Sequence, residues 1–249
     1  MDLWTNPSSL SNFPTPCYVI NESELSKNLS ILDGIKAKTN CYIILALKGY
    51  ATFSTFQPIA NVLDGVAASS VYEARLGIEE FGPFVHGYSV GLSVDDCHAM
   101  NEMCSHLTVN SMNQWDLFSS TVSTIKASVG IRINPQKSVS NTLLYDPCRP
   151  FSRLGIPMDQ LDDSVFDIMD GLHFHVLCEQ GVDELEIILN HIKSYIGESN
   201  LKKMSWMNWG GGHSITRSDY DINRLISLIN EWQSAFGLTV ILEPGSAVG

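Results

Sequence analysis

Basic residues are scarce in this chain: 15 Lys and Arg stand against 27 Asp and Glu, for a formal net charge of −12. A nucleic-acid partner is excluded from the expectations, because phosphate backbones are held by Lys and Arg. The carboxylate excess suits a cationic small-molecule substrate, and it equally serves ordinary solubility. Long apolar runs are absent as well. No stretch approaches the roughly 18 uninterrupted apolar residues of a membrane span. The start, Met1-Asp2-Leu3-Trp4-Thr5-Asn6, lacks the basic segment and apolar run of a secretory signal. A cytosolic chain without a membrane partner is expected. Cysteine is sparse and unpatterned, with six at 17, 41, 97, 104, 148 and 178 and no C-x-x-C pair. Several lie in strand-like runs such as Cys41-Tyr42-Ile43-Ile44-Leu45, so reduced and mostly buried thiols are expected, with no disulfide framework and no metal site.

Apolar residues, by contrast, are plentiful: at 44% of 249 residues they suffice for one full core. Short β-rich runs bounded by turn residues lie at about 42–47, 63–69, 85–90, 106–110, 128–134, 171–176, 205–210 and 239–243. Between most of them the spacing is helical: Val71 to Phe81, Val94 to Cys104, Val182 to Ile196, and Tyr220 to Phe236 with Ile222, Leu225, Ile226, Ile229 and Trp232 on one face. Alternation of this kind implies parallel strands joined by crossover helices, and eight units point to a closed (β/α)₈ barrel of the TIM type, an α/β fold. A leading strand Cys17-Tyr18-Val19-Ile20 and a helix from Glu22 to Lys36, capped by Asn21, precede the barrel proper at about 15–40. The whole span 1–249 is expected to be one barrel domain, and Asn134 to Pro157 is its one long irregular connection.

Barrel chemistry sits at the C-terminal ends of the strands, so the residues there carry the functional reading. Lys48 closes the first run. An ammonium is costly to desolvate there, which favours the neutral amine that an imine requires; a lysine snorkelling to the rim would have the same sequence. Gly210, Gly211 and Gly212 follow the seventh run, where barrel phosphate sites recur, although glycine serves plain turns equally well. Glu243 ends the eighth run before a Pro-Gly turn and could pair with a protonated heterocyclic nitrogen, or simply form a salt bridge. His175 ends the sixth run, either as an aromatic to stack on a ring or as a satisfied core histidine. Together the four supply the parts that pyridoxal 5′-phosphate needs.

The motif strings resemble the fold-type III, alanine-racemase-like pyridoxal-phosphate decarboxylases, a family that includes ornithine and diaminopimelate decarboxylases. The resemblance runs from Thr15-Pro16-Cys17-Tyr18-Val19-Ile20 to the last residue. It is carried by Leu45-Ala46-Leu47-Lys48, Ala68-Ser69-Ser70-Val71-Tyr72-Glu73-Ala74-Arg75, Ser152-Arg153-Leu154-Gly155, Gly171-Leu172-His173-Phe174-His175, Asn208-Trp209-Gly210-Gly211-Gly212-His213 and Glu243-Pro244-Gly245. Two further strings, Leu144-Tyr145-Asp146-Pro147-Cys148 and Cys178-Glu179-Gln180, are similar to those of the carboxynorspermidine (carboxyspermidine) decarboxylase subfamily and argue against a diaminopimelate decarboxylase.

Carried over residue by residue, the resemblance assigns Lys48 to the Schiff base, His175 to ring stacking, the glycines to phosphate and Glu243 to the pyridinium nitrogen. It implies decarboxylation of carboxynorspermidine or carboxyspermidine in polyamine biosynthesis, with a homodimer as the assembly; beside it, Glu243, Arg153 and Glu179 are candidate substrate contacts, and Arg153 has the alternative of an interface ion pair. There are departures. Ala67 stands where ornithine decarboxylases have an aspartate, and Ser246 stands where they have a phosphate-touching arginine. The family also continues into a C-terminal β-domain, which this chain, ending at Gly249, is expected to lack. A barrel that binds cofactor without turnover is therefore the alternative from another functional class.

Overall fold

The computed structural model describes residues 13–140 and 142–249, so the N-terminal segment Met1 to Asn6 lies outside the described residues. The first helix, α1 (Glu22–Thr39), starts where the Asn21 side chain accepts hydrogen bonds from the amides of Ser23 and Glu24. Glu22 and Glu24 in its first turn and Lys36 and Lys38 in its last complement the helix dipole, and Asn40 ends it in the left-handed region at φ 56°. Leu25, Leu29, Leu32 and Ile35 form its buried stripe.

Strands β1 (Tyr42–Ala46), β2 (Gly65–Ala68), β3 (Val85–Tyr88), β4 (His106–Val109), β5 (Ser128–Asn134), β7 (Gly171–His173), β8 (Trp206–Asn208) and β9 (Thr239–Leu242) follow, with a two-residue strand β6 (Ile156–Pro157) beside β5. Every pairing is parallel. The sheet closes on itself where β1 meets β9, at Tyr42 opposite Ile241. Helices α2 (Phe56–Ala60), α3 (Val71–Glu80), α4 (Val94–Met103), α5 (Met112–Thr121), α6 (Val165–Ile168), α7 (Val182–Ile196), α8 (Glu198–Leu201) and α9 (Ile222–Phe236) lie between or after them. This is the expected (β/α)₈ barrel. Among the described residues no helix is long and apolar enough to cross a membrane.

Because side chains alternate along a strand, each strand serves two cores. Ile43, Leu45, Val66, Leu107, Ile131, Leu172, Met207, Val240 and Leu242 belong to the main apolar cluster shared with the helices. The opposite faces fill the lumen. Ile44, Trp206 and Ile241 form a separate cluster there with Ala67 and Phe84. The Trp206 ring lies between glycines: a Cβ added at Gly171 or Gly130 would come within 2.1 or 2.3 Å of it. His106 stacks on the same indole, with centroids 4.8 Å apart and planes at 10°, and the indole N–H donates to Ser128 Oγ at 2.9 Å.

Three expectations need correction. Cys17 to Ile20 is not a strand; it runs as irregular chain with Cys17, Tyr18 and Ile20 exposed, and no neighbouring strand accepts it. Helix α5 was not foreseen, since it is rich in polar residues and buries only Gln114 and Phe118; the Ser111 side chain, accepting from Gln114 N, starts it. All six cysteines are free, but burial is less general than expected: Cys41, Cys97 and Cys104 are buried, whereas Cys17 and Cys178 are exposed. The long connection after β5 contains a short 3₁₀ turn, Leu143–Tyr145, and β6.

If Trp206 is the floor of the lumen, a methyl group at Gly171 must displace it. Gly171→Ala should lower stability by about 1–3 kcal/mol, read as a drop in the urea midpoint at unchanged slope; an unchanged midpoint would show that the floor yields freely.

Candidate active site at the barrel mouth

The site is organised around one side-chain amide. Asn208, fully buried at the end of β8, donates from Nδ2 to Glu243 Oε1 at 2.6 Å, and its Oδ1 accepts from the Gly210 N–H at 2.8 Å. Glu243 returns the link through its own backbone, donating from N–H to Gly210 O at 2.9 Å. One residue thus couples the carboxylate after β9 to the glycine loop after β8. The loop needs its glycines for close approach. Gly210 and Gly212 have φ of 70° and 82°, and a Cβ at Gly211 would sit 2.2 Å from Glu243 O, while one at Gly212 would sit 1.9 Å from Leu177 O. The backbone of this loop therefore touches both neighbouring strand ends.

Lys48 reaches the same place by another close approach. The amide of Ala46 donates to Pro244 O at 2.9 Å, and a Cβ at Gly49 would fall 3.1 Å from Gly245 Cα, so the turn after β1 lies directly on the Glu-Pro-Gly segment. Lys48 Nζ then stands 3.4 Å from His175 Nδ1. His175 Nδ1 is also 3.7 Å from Glu243 Oε2 and accepts from Gly211 N–H at 3.3 Å. Lys48, His175, Gly211 and Glu243 thus meet around a single ring nitrogen, with Gly210 and Gly212 in the same loop. Of the two readings of Lys48, the structure has the one at the rim: the residue is exposed and is not a desolvated amine. Its position beside His175 singles it out.

Beneath the mouth the lumen is polar, where barrels of this type place branched apolar side chains. His86, Thr108, Arg132, His173 and Asn208 are buried there with Glu243. His86 Nε2 lies 2.9 Å from Thr108 Oγ1, and the His86 ring packs edge-on against those of His106, His173 and Trp206. Burial pushes His86 and His106 down to about 4, and burial with the Lys48 ammonium does the same to His175. His173 is driven well below its ordinary value, first by burial. Burial alone would push the Glu243 carboxyl up, but His173, His175 and Lys48 reverse this and hold it well below the ordinary carboxylate value. The buried charge belongs on Glu243, because Asn208 donates to it, whereas neither nitrogen of His173 has a hydrogen-bond partner and an imidazolium there would orphan two N–H groups.

Arg132 and Tyr88 are site residues that strand-end reading missed, since both look like ordinary mid-chain polar residues. The Arg132 guanidinium lies 4.8 Å over the Tyr88 ring and donates to His175 O at 3.0 Å. Tyr88 OH donates to Asn110 Oδ1 at 2.7 Å, and Asn110 holds the loop after β5 by accepting from Gly155 N and donating to Arg153 O. Arg153 is therefore pinned by its backbone while its side chain is exposed, lining a hollow of about 420 Å³ with Arg149, Asp146 and Phe151. Glu179, at φ 62° and also exposed, borders a different hollow of about 430 Å³ with Tyr145, Cys178 and Gln180. No direct contact joins either residue to Lys48, so the structure groups the four mouth elements and leaves Arg153 and Glu179 at its margins.

A parallel (β/α)₈ barrel with a lysine, a histidine, a glycine loop and a buried carboxylate at one rim is what the resemblance to the alanine-racemase-like decarboxylases leads one to expect. No family model matches the chain. It is 36% identical over 235 residues to a carboxynorspermidine/carboxyspermidine decarboxylase from Campylobacter jejuni, covering 94% of this chain and 61% of that protein. A carboxyaminopropylagmatine decarboxylase from Synechocystis is 38% identical over 249 residues, covering 100% and 64%. The crystal structure of the C. jejuni carboxynorspermidine decarboxylase complexed with norspermidine superposes with a TM-score of 0.85 at 33% identity, covering 95% of this chain and 61% of that one. A mutant of SrLDC in complex with pyridoxal phosphate shares the fold, with a TM-score of 0.74 at 16% identity, covering 97% of this chain and 65% of that one. The chain is thus similar to carboxynorspermidine/carboxyspermidine and carboxyaminopropylagmatine decarboxylases, and it spans a little under two thirds of the length of the curated relatives it matches.

Two outcomes test this geometry. Removing the central amide by Asn208→Ala orphans a buried acceptor and a buried N–H, and should cost about 1–3 kcal/mol for each, measured by urea unfolding. The histidines set a pH dependence. An unfolded histidine binds its proton near 6.5, whereas His86, His106 and His175 resist it down to about 4. Between these values the unfolded chain holds more protons, so stability falls as the pH drops through that window. Their ring Cε1–H resonances should stay fixed from about pH 8 to about pH 5; a midpoint near 6.5 for any of them would contradict the burial argument.

Proposed function

We propose that the mouth binds pyridoxal 5′-phosphate and that the family member bearing this barrel decarboxylates carboxynorspermidine or carboxyspermidine, yielding carbon dioxide and norspermidine or spermidine in polyamine biosynthesis. The carrying observation is the convergence of an accessible amine and an ionised carboxylate on one imidazole, with Lys48 Nζ at 3.4 Å and Glu243 Oε2 at 3.7 Å from His175 Nδ1. The residues fit the cofactor on their own chemistry. Lys48 offers the amine for its aldehyde carbon, His175 an aromatic face, the Gly210 to Gly212 backbone the close approach that a phosphate needs, and Glu243 an anion that a ring N–H prefers. With Ser246 in place of an arginine, the glycine loop carries more of the phosphate binding.

When bound, pyridoxal phosphate supplies an electron sink for the pair left behind as carbon dioxide departs. Glu243 keeps its charge in the lumen through Asn208 and so holds a proton on the group above it. Arg132 fixes His175 through its carbonyl oxygen. Lys48 Nζ, exposed and beside His175, is placed to carry a proton to the reacting centre once its amine is free.

The polyamine end of the substrate is a cation. Glu179, Asp183, Glu184, Asp219 and Asp221 border a hollow of about 490 Å³, in which Arg217 is already paired with Asp219. That hollow adjoins the glycine loop, since Gln180 N donates to Gly212 O at 3.2 Å. Its charge favours Glu179 as a contact to substrate ammonium. Arg153, on the opposite side of the loop after β5, suits the substrate carboxylate instead. Pairing of two copies belongs to the same proposal and is supported by Leu143, Leu144, Tyr145 and Phe151, all exposed along that loop.

The exposure of Lys48 favours a second reading, in which this stretch binds cofactor without turnover because its mouth admits water. One preparation separates the two. The chain mixed with pyridoxal phosphate should give a visible imine band that borohydride fixes to Lys48, and Lys48→Ala should abolish it; a band that survives the substitution defeats the cofactor assignment. Carbon dioxide release should be faster from carboxynorspermidine or carboxyspermidine than from diaminopimelate or ornithine, and Glu243→Gln should lower it roughly 10²-fold. An imine band with no release from any of these substrates would select the second reading.

A further inference from the structure

We propose that Arg217 is the cation that receives the phosphate of the cofactor, in the hollow between the glycine loop and the turn at Ser246. The inference rests on the pyridoxal-phosphate reading above and adds to it a charged residue that the reading lacks. A phosphate dianion calls for more than backbone N–H groups, because an anion taken out of water is costly until a positive charge compensates it. Lys48 is committed to the aldehyde carbon. Arg132 is turned to His175 O and to the Tyr88 ring. Ser246 offers a hydroxyl without charge.

The place is built by contacts on both sides. Gln180 N donates to Gly212 O at 3.2 Å and Ser214 N donates to Gln180 O at 3.1 Å, so the chain leaving the glycine loop is held against the loop after β7. Opposite it, a Cβ at Gly49 would lie 3.5 Å from Ser246 N, which sets the turn at Ser246 directly beside the turn that carries Lys48. Thr216 Oγ1 donates to Ala247 O at 2.9 Å and ties the two sides together. Between them lies a hollow of about 360 Å³, lined by Glu179, Ser214, Thr216, Arg217, Ser246 and Ala247. Arg217 is the cation of that lining.

Its guanidinium is already oriented. Arg217 N donates to Ser214 O at 3.0 Å, which fixes its backbone close behind the glycine loop, and its Nε donates to Asp219 Oδ1. That contact leaves the two Nη groups for a second partner, and a planar fork of this kind matches the spacing of phosphate oxygens. Asp219 is thereby a positioning residue. The Arg217 side chain is half exposed, which suits a partner that arrives with a ligand. Glu179, the carboxylate of the same lining, is exposed and also borders the neighbouring acidic hollow, so it can turn away from an anion.

The test compares two ligands that differ only in the phosphate. Pyridoxal phosphate and pyridoxal are each titrated into the full chain, and the visible imine band, fixed to Lys48 by borohydride, reads the affinity of each. Arg217→Ala should weaken pyridoxal phosphate about tenfold to a hundredfold and leave pyridoxal within about twofold. Arg217→Lys keeps the charge without the fork and should fall between wild type and Arg217→Ala. Ser246→Arg places a guanidinium in the same hollow, so in the Arg217→Ala background it should restore the preference for the phosphorylated ligand. Unchanged affinity for pyridoxal phosphate in Arg217→Ala, or an equal loss for both ligands, would overturn the proposal and leave Arg217 as a surface partner of Asp219. A Lys48 imine insensitive to Arg217 defeats this inference alone, whereas no Lys48 imine with either ligand defeats the cofactor reading and this inference with it.

Discussion

A carboxylate buried in the lumen of a barrel is the constraint on which the rest of the mouth depends. Glu243 is 3% exposed, and an anion there would be intolerable without a donor and compensating charge. Asn208 meets the first need with an N–H at 2.6 Å, and Lys48 helps to meet the second from the rim. Because the other end of the Asn208 amide accepts from Gly210, the group that stabilises the anion also sets the path of the glycine loop. Anion and loop are consequently one structure. Neither could shift without orphaning the other's buried polar atoms.

Below that layer the barrel is built for rigidity. Trp206 occupies space that Gly130 and Gly171 leave open, its N–H is bonded to Ser128, and His106 stacks on its face. Asp170 completes the floor by accepting from Ser128 Oγ and Val129 N. Outside, α7 and α9 bury aliphatic and aromatic stripes against the strands, and Arg224 of α9 joins them by pairing with Glu186 on α7. Such a half-buried pair at the surface contributes modestly, so helix packing rests mainly on the apolar stripes. The stiff part of the molecule lies under and around the mouth.

That stiffness accounts for a family likeness that spans different substrates. Two of the relatives differ in the compound they are named for, whereas the glycine loop is positioned by contacts within the barrel, among them Glu243 N to Gly210 O and Gln180 N to Gly212 O. Under the proposed function, choice of substrate would fall to side chains such as Glu179 and Arg153, which stand on strained or pinned loop backbone with their charged ends in solvent. Loops carried by a rigid scaffold can change without cost to the fold.

Strand and helix periods were legible in the amino-acid order because alternation and 3.6-residue spacing are local properties: all eight barrel strands lie where apolar runs predicted them, and α7 begins and ends at Val182 and Ile196 as its pattern indicates. The strand-end position of Lys48, His175, Glu243 and the three glycines was legible for the same reason. Helix α5 was not, because Ser111 and two buried side chains make a weak periodic signal. Lys48 was legible only as a choice between a desolvated amine and a lysine at the rim, and what packs beside the turn after β1 decides it. Arg132, Tyr88 and Asn208 stayed hidden because their importance lies in partners 43, 22 and 35 residues away along the chain. Sequence by itself determined which residues stand at the rim of the barrel. Tertiary structure alone decided which of them touch and which imidazoles stay neutral, since closure of the sheet brings distant strands together and burial sets the energy of every charge between them.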